Sequence, residues 1–372
     1  MSVAPTATPR PLDGIRVLEL GQLLAGPFAG TLLAYFGAEV IKVEPPGGDP
    51  IRQWRIVRDG ASLWWRSLGR NKKCVTLNLR DPAGRALARR LAERCDVLIE
   101  NFRPGILEGW GLGPDDLKPV NPGLIFARIS GYGQDGPYAA RPGYASVCEG
   151  IGGLRYVNGV PGEPPVRPNL SLGDTFAGLH AAFGVLLALL DRQRRAPHAG
   201  QTVDVALYES VFNLLEAVVP EYDGAGAIRE PSGSTVTGIV PTGTYRCRDG
   251  KHVIIGGNGD SIYKRLMHAT GRADLAEDPR LAHNAGRVEH QQEIDTAIAA
   301  WTATLDSRET LARLEAAEVP AGPIFNVAGM VANKGPHPAH AAGGGSVAIT
   351  PRVAATRPDD LQAQRDLATS LG

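Results

Sequence analysis

One carboxylate stands at the head of the most apolar run in the chain. The stretch SLGDTFAGLHAAFGVLLALL, residues 171–190, sets Asp174 directly before a long apolar helix pattern. Taken alone, the position reads first as an N-cap, since Asp accepts well from the free N–H groups of a helix start. The same place also suits a nucleophile. Helix-terminal dipoles favour the charged carboxylate, Gly173 leaves the approach without a side chain, and a carboxylate can attack an activated acyl group. Basic residues form a second group. Arg52 ends the Gly/Pro-rich turn PPGGDPIR, Arg70, Lys72 and Lys73 lie in GRNKKC, Arg80 ends a strand pattern, and Arg103 follows ENF. Each alone reads as a solvated charge; together they decorate loops of a parallel sheet, where α/β folds bind ligands, so a phosphorylated cofactor is a candidate. Arg52, Lys72 and Lys73 are candidate phosphate partners by charge.

Other chemistries find little support. The glycines of VLELGQLLAGPFAG are Gly21, Gly26 and Gly30, so the G-x-G-x-x-G dinucleotide fingerprint fails. Either close packing of a strand–helix turn or a helix start facing another phosphate ligand remains open there. HPAH at 337–340 is the only close histidine pair, and no C-x-x-C, H-E-x-x-H or calcium-loop pattern occurs, so no metal site is expected. The G-x-S-x-G serine elbow is absent too.

The elements that must position these residues alternate between strand and helix. IRVLEL (15–20), AEVIKVE (38–44), CVTLNL (74–79), DVLIEN (96–101) and LIFARIS (124–130) read as strands. Asp81 and Pro82 open a helix whose Leu87, Ala88, Leu91, Ala92 and Cys95 share a face. Such repeats specify a parallel sheet flanked by helices. QTVDVAL (201–207) is a further strand, followed by a helix over YESVFNLLEAVV. A Gly/Ser/Thr-rich linker over 223–240 leads to a smaller α/β unit near 225–330, with a hairpin around Asp249–Gly250 and helices at about 260–270, 290–305 and 307–318. The expected fold class is therefore α/β, and 372 residues suggest two domains. The 174–191 helix is short for a membrane span and reads as a buried core helix.

Apolar content of 43% with 21% charged residues is that of a soluble globular protein, and zero net charge gives no sign of nucleic acid or an anionic membrane as partner. Four scattered cysteines, Cys74, Cys95, Cys148 and Cys247, read as reduced thiols, and MSVAPTATPRPLDG lacks the apolar core of a signal peptide. The expected location is cytoplasmic.

Several stretches carry a resemblance: PLDGIRVLEL, LLAGPFAG, FGAEVIKVEPPGGD, GRNKKCVTLNLRDPAG, ENFRPGILEGWGL, NPGLIFARISGYGQDGPY, SLGDTFAG, DPRLAHNAGRVEH and EVPAGPIFNV. In this order, over about residues 11–326, the chain resembles the class III CoA-transferase family, which includes formyl-CoA transferase and α-methylacyl-CoA racemase. The resemblance implies a Rossmann-like large domain at 11–222, a linker and small α/β domain at 223–330, and a C-terminal segment, 331–372, that returns to the large domain. This tail departs from the family's usual ending. Two chains interlock in such proteins, so a homodimer is implied.

The resemblance also implies the chemistry acyl-CoA + acid′ → acid + acyl′-CoA, with acyl-CoA and a carboxylic acid as small-molecule partners. The residue matching Asp174 attacks the thioester to give an aspartyl–acyl anhydride, which CoA thiolate converts to an aspartyl-CoA thioester. Carried over by position, Ala25, Leu77, Arg80, Asn101, Phe102, Arg103 and Tyr144 are implied CoA contacts. Gly256, Gly257 and Gly259 of GGNG are the candidate mobile cover that keeps water from these intermediates. Departures narrow the reading. Leu24 replaces the glutamine of formyl-CoA transferase, Pro45 an adenine-side arginine, and Gly109 a basic residue. Tyr144–Ala145 stands where the racemase has its His–Asp pair, which ranks racemisation below transfer. The expectation is CoA transfer to a carboxylic or dicarboxylic acid, with succinyl-CoA a candidate donor and Arg167 a candidate partner for a distal carboxylate. The alternatives are an acyl-CoA racemase or isomerase, or a CoA-binding protein without turnover.

Overall fold

The short apolar run at the start forms β1, Arg16–Glu19, and the turn after it opens α1, Ala25–Tyr35. The chain continues through β2 (Glu39–Glu44), β3 (Lys72–Thr76), α2 (Pro82–Ala92), β4 (Val97–Glu100) and β5 (Ile125–Ser130). Then come α3 (Ala145–Ile151), α4 (Leu172–Arg194), β6 (Thr202–Ala206) and α5 (Leu207–Phe212). The computed structural model describes residues 10–332, and its chain divides between Pro231 and Ser232 into two compact units. The expected return of the tail over 331–372 lies, beyond Ala332, outside the described residues.

The six strands of the main sheet of the first unit are all parallel, in the order β3-β2-β1-β4-β5-β6. This is the doubly wound order, and it reverses between β1 and β4. Alternate residues of the strands feed two cores. Val17, Val97, Ile99, Ile125 and Ala127 face α1 and α4; Leu18, Leu98 and Phe126 face α2. Helix α4 lies tightly on α1 because Gly178 has no side chain. A Cβ there would stand 2.7 Å from the Ala25 carbonyl oxygen.

Three local expectations change. Strand β3 begins two residues earlier than the CVTLNL pattern, because Lys72 and Lys73 pair with Val40 and Ile41 of β2. Leu87, placed on the buried face of α2, is exposed, while Ala88 and Ala92 are buried. Only one face of α4 is core: Ala177, Ala181, Val185 and Leu189 are buried, but Leu179, Phe183, Leu186, Leu187 and Leu190 are exposed. By length and composition α4 could cross a membrane, yet its small-residue face is packed against α1 and the sheet.

The second unit has a three-stranded antiparallel sheet: β7 (Thr242–Arg246), β8 (His252–Gly256) and β9 (Ala321–Pro323), with β8 central. Val253 and Ile255 of β8 pack on α6 (Asp260–Ala269), α7 (Gln291–Thr302) and α8 (Ser307–Ala316) through Tyr263, Leu266, Ile298 and Leu314. Gly250 supplies the positive φ, +78°, in the connection between β7 and β8.

Candidate active site

Where strand order reverses, the loops after β1 and β4 part and leave a crevice, the place where open α/β sheets bind ligands. Two adjoining cavities occupy it. One, of about 570 Å³, is walled by Leu77, Arg80, Phe102, Arg103 and Trp110. The other, of about 510 Å³, is walled by Ala25, Trp64, Asn101, Arg141, Tyr144 and Asp174. Gln22, Phe102 and Arg103 line both, so the two form a continuous path.

The turn between β1 and α1 is set from beneath. The Asn101 amide accepts from the Gln22 N–H at 2.8 Å and donates to the Gln22 carbonyl at 2.9 Å. Below it lies a wholly buried charge cluster. Lys42 Nζ sits 3.1 Å from Glu19, 2.9 Å from Asp49 and 2.8 Å from the Gly21 carbonyl. Asp49 in turn accepts the N–H groups of Leu23 and Ile51. Across the crevice, Glu100 accepts the Phe102 N–H at 2.7 Å and is held by Arg128, which fixes the turn after β4.

Asp174 stands in the first turn of α4, but Ser171 is the N-cap residue, so Asp174 is the third helical residue and not the cap. Its carboxylate accepts no hydrogen bond among the described residues, and burial, reinforced by Glu149, pushes its pKa up to about 6 against a smaller attraction from Arg167. Burial therefore outweighs the helix dipole that was expected to keep it fully ionised. Gly173, expected to open access, instead admits helix α3: a Cβ there would meet Ala145 Cβ and Glu149 Cγ at 3.2 Å.

The crevice brings together Ala25, Leu77, Arg80, Asn101, Phe102, Arg103, Tyr144 and Asp174. It does not gather the other basic residues. Lys72 is buried, 2.7 Å from Glu19 and 2.6 Å from the Pro27 carbonyl, so its ammonium serves the interior and not a phosphate. Lys73 is exposed but pairs with Glu39, and both lysines open β3, at the amino end of the sheet. Arg52 lies on the Trp65 ring and forms two bonds to Glu44. Arg167 is held by Glu149, with Nε 3.2 Å from its carboxylate, and is not left for a distal substrate carboxylate. The GGNG residues belong to the second unit. Gly256 N–H binds the Pro320 carbonyl, Gly257 N–H the Pro241 carbonyl, and buried Arg287 the Asn258 carbonyl, so the loop is tethered where a mobile cover was expected.

Several wall residues escape a reading of the sequence: Gln22, Trp54, Trp64 and Arg141, together with Glu149 behind the wall. The tryptophans had a signal, since three of the chain's five lie within residues 54–65. Glu149 had only its spacing, four residues after Ala145 on one face of α3.

This placement predicts a contrast. Arg103→Ala should raise KM for acyl-CoA about tenfold by losing one charge-assisted contact, whereas Lys73→Ala should leave it within about twofold, losing only an exposed ion pair. Steady-state kinetics on both variants checks this, and equal effects would refute the assignment.

The sequence model described as CoA-transferase family III matches residues 12–345. The chain is 49% identical over 331 residues to the succinyl-CoA–D-citramalate CoA-transferase of Chloroflexus aurantiacus, covering 88% of this chain and 81% of that one. It is 36% identical over 341 residues to the succinate–glutarate CoA-transferase of Agrobacterium fabrum, covering 90% and 84%. Among solved structures, a CaiB/BaiF family protein from Brucella suis matches with a TM-score of 0.78 at 35% identity, covering 88% of this chain and 87% of that one.

Proposed function

From the premise that this chain belongs to CoA-transferase family III, and is an enzyme that transfers CoA, we infer that it moves CoA from succinyl-CoA to a short dicarboxylic acid through covalent adducts on Asp174. The carrying observation is the Asp174 carboxylate, free of hydrogen bonds, in the cavity that adjoins the switch-point cleft. The relatives named for succinyl-CoA with citramalate or malate, and for succinate with glutarate, support dicarboxylates as the acid pair.

The cleft walled by Leu77, Arg80 and Phe102 suits the nucleotide end of CoA, and the thioester then extends past Gln22 and Phe102 to Asp174. An Asp174 oxygen attacks the succinyl carbonyl, the C–S bond breaks, and CoA leaves as thiolate. The thiolate attacks the Asp174 carbonyl of the anhydride, releasing succinate and leaving an aspartyl-CoA thioester. The acceptor carboxylate attacks that thioester to form a second anhydride and frees the thiolate. Attack of the thiolate on the acceptor's acyl carbon then yields the new acyl-CoA and restores Asp174. Each adduct keeps an activated carbonyl, so no step depends on a free acid becoming reactive.

Mass spectrometry of enzyme mixed with succinyl-CoA alone tests this reading. The expected result is a succinyl or CoA mass increment on the peptide holding Asp174; an unmodified peptide in enzyme that turns over once an acceptor acid is added refutes it. Because the attacking form is the carboxylate, activity should rise with pH through a midpoint near 6, the value to which burial and Glu149 bring Asp174. A pH profile of kcat that is flat between about pH 5 and 8 would contradict the assignment.

The exposed apolar stripe Leu179, Phe183, Leu186, Leu187 and Leu190 on α4 supports a homodimer that covers it. Light scattering should give twice the chain mass. Among the described residues the four cysteines are free thiols, in keeping with a cytoplasmic enzyme.

A further inference from the structure

Glu149 is almost wholly buried, at 1% exposure, yet it takes no part in the steps above. Its carboxylate lies 3.2 Å from Arg155 Nε and 3.2 Å from Arg167 Nε. It also accepts the Gly173 N–H, from the second residue of α4, at 3.1 Å. A buried carboxylate without partners is costly, so two arginines and a backbone donor meeting on one side chain make a built site. The start of α4 needs only an acceptor for its free N–H groups, and its own cap residue, Ser171, makes no side-chain bond.

We infer that Glu149, clamped by Arg155 and Arg167, is a positioning residue for Asp174. It takes the helix-terminal N–H and holds a negative charge beside the nucleophile, leaving the Asp174 carboxylate free for the thioester. The inference rests on Asp174 being the nucleophile. An acidic side chain at the third helical position ordinarily folds back onto the helix start. Here Glu149 takes, from a neighbouring helix, the Gly173 N–H that the cap residue Ser171 leaves open, and among the described residues Asp174 is left without a hydrogen bond. The charged and titratable groups around Asp174 are Glu149 and the Cys148 thiol from α3, Arg167 from the preceding segment, and Tyr144, Arg103 and Arg141 on the cavity walls. Helix α1 adds only Ala25 to that cavity. Like-charge repulsion from Glu149 raises the basicity of the Asp174 carboxylate, and attraction from Arg167 lowers it.

Two substitutions should move the acidic limb in opposite directions. Glu149→Gln keeps the shape and the acceptor for Gly173 but removes the charge, and leaves Arg167 to pair with Asp174. Its midpoint should fall by about one pH unit, and its plateau rate by about tenfold. Arg167→Met removes the attraction, so its midpoint should rise by about half a unit. The measurement is the single-turnover rate of adduct formation on Asp174 from succinyl-CoA, between about pH 5 and 9, with folding checked by circular dichroism. Loss of a merely structural contact would slow both variants without splitting their midpoints. Unmoved midpoints, or movement in the same direction, overturn the inference while the wild-type adduct stands. If the wild-type enzyme forms no Asp174 adduct, the function itself falls and this inference with it. Arg167 is partly exposed, so Arg167→Met carries the test should Glu149→Gln fail to fold.

Discussion

Asp174→Ala is expected to lower turnover by at least about 10⁴-fold, the scale of losing a covalent nucleophile. CoA affinity should stay within about threefold, since the walls of the adjoining cleft are untouched. The separation is sharp because, among the described residues, the Asp174 carboxylate accepts no hydrogen bond, and the start of α4 is held by Glu149 through Gly173. Stability gives a second readout with a definite sign. The folded carboxyl, at about 6, binds its proton more tightly than in the unfolded chain. Folding is therefore penalised above that pH, and the penalty is gone below the unfolded value, near 4. Asp174→Ala should thus melt no lower than wild type at about pH 8, where the penalty is fully present. Residual turnover above about 1% of wild type, or loss of CoA binding in step with turnover, would sink the assignment.

How much of this was legible in the sequence depended on whether the signal was periodic or mutual. Short apolar runs gave β1, β2, β4, β5 and β6 to within a residue or so, because strands of a parallel sheet covered on both faces are apolar along most of their length. The glycines of VLELGQLLAGPFAG looked like a failed phosphate loop, and space around them explains why they are there. A Cβ on Gly30 would lie 1.9 Å from Glu19 Oε2, and one on Gly21 would lie 2.7 Å from Asn101 Oδ1. They make room for a buried carboxylate and for the amide that pins the turn; of the two readings left open, close packing is the one the structure takes.

Charge was the least legible property. Lys72 and Lys73 are adjacent in sequence, but one is sealed beside Glu19 and the other lies in solvent beside Glu39, because alternate residues of a strand face opposite sides. Composition cannot distinguish them, and only the partner strand's side chains decide. Glu149 was invisible for the same reason: its partners Arg155, Arg167 and Gly173 are recognisable only once α3 lies against the start of α4. Asp174 was legible as a candidate from its position before an apolar helix, and its raised pKa was not, since that depends on the walls of a cavity assembled from segments far apart in sequence.

Lys42→Met should destabilise the first unit by about 3–5 kcal/mol, the scale of leaving buried carboxylates without their counter-charge. Lys42, Glu19 and Asp49 are all fully buried, and the single ammonium bridges both acids and the Gly21 carbonyl. Lys72 still reaches Glu19 after the substitution, so the greater loss falls on Asp49. Asp49 orders Leu23, whose φ of +63° is strained for a side chain of that size, and Ile51. These bonds shape the 21–25 turn that walls both cavities. The defect should therefore appear twice: as a lower denaturant midpoint, and as a raised KM for succinyl-CoA in the protein that remains folded. Arg16→Ala, which removes an exposed pair with Glu39 at 3.7 Å, is the matched control and should cost under about 1 kcal/mol without changing KM. Denaturant unfolding with kinetics on both variants decides the matter. A Lys42→Met protein as stable as the control would mean that the buried cluster does not hold the turn, and that the crevice owes its shape to Asn101 alone.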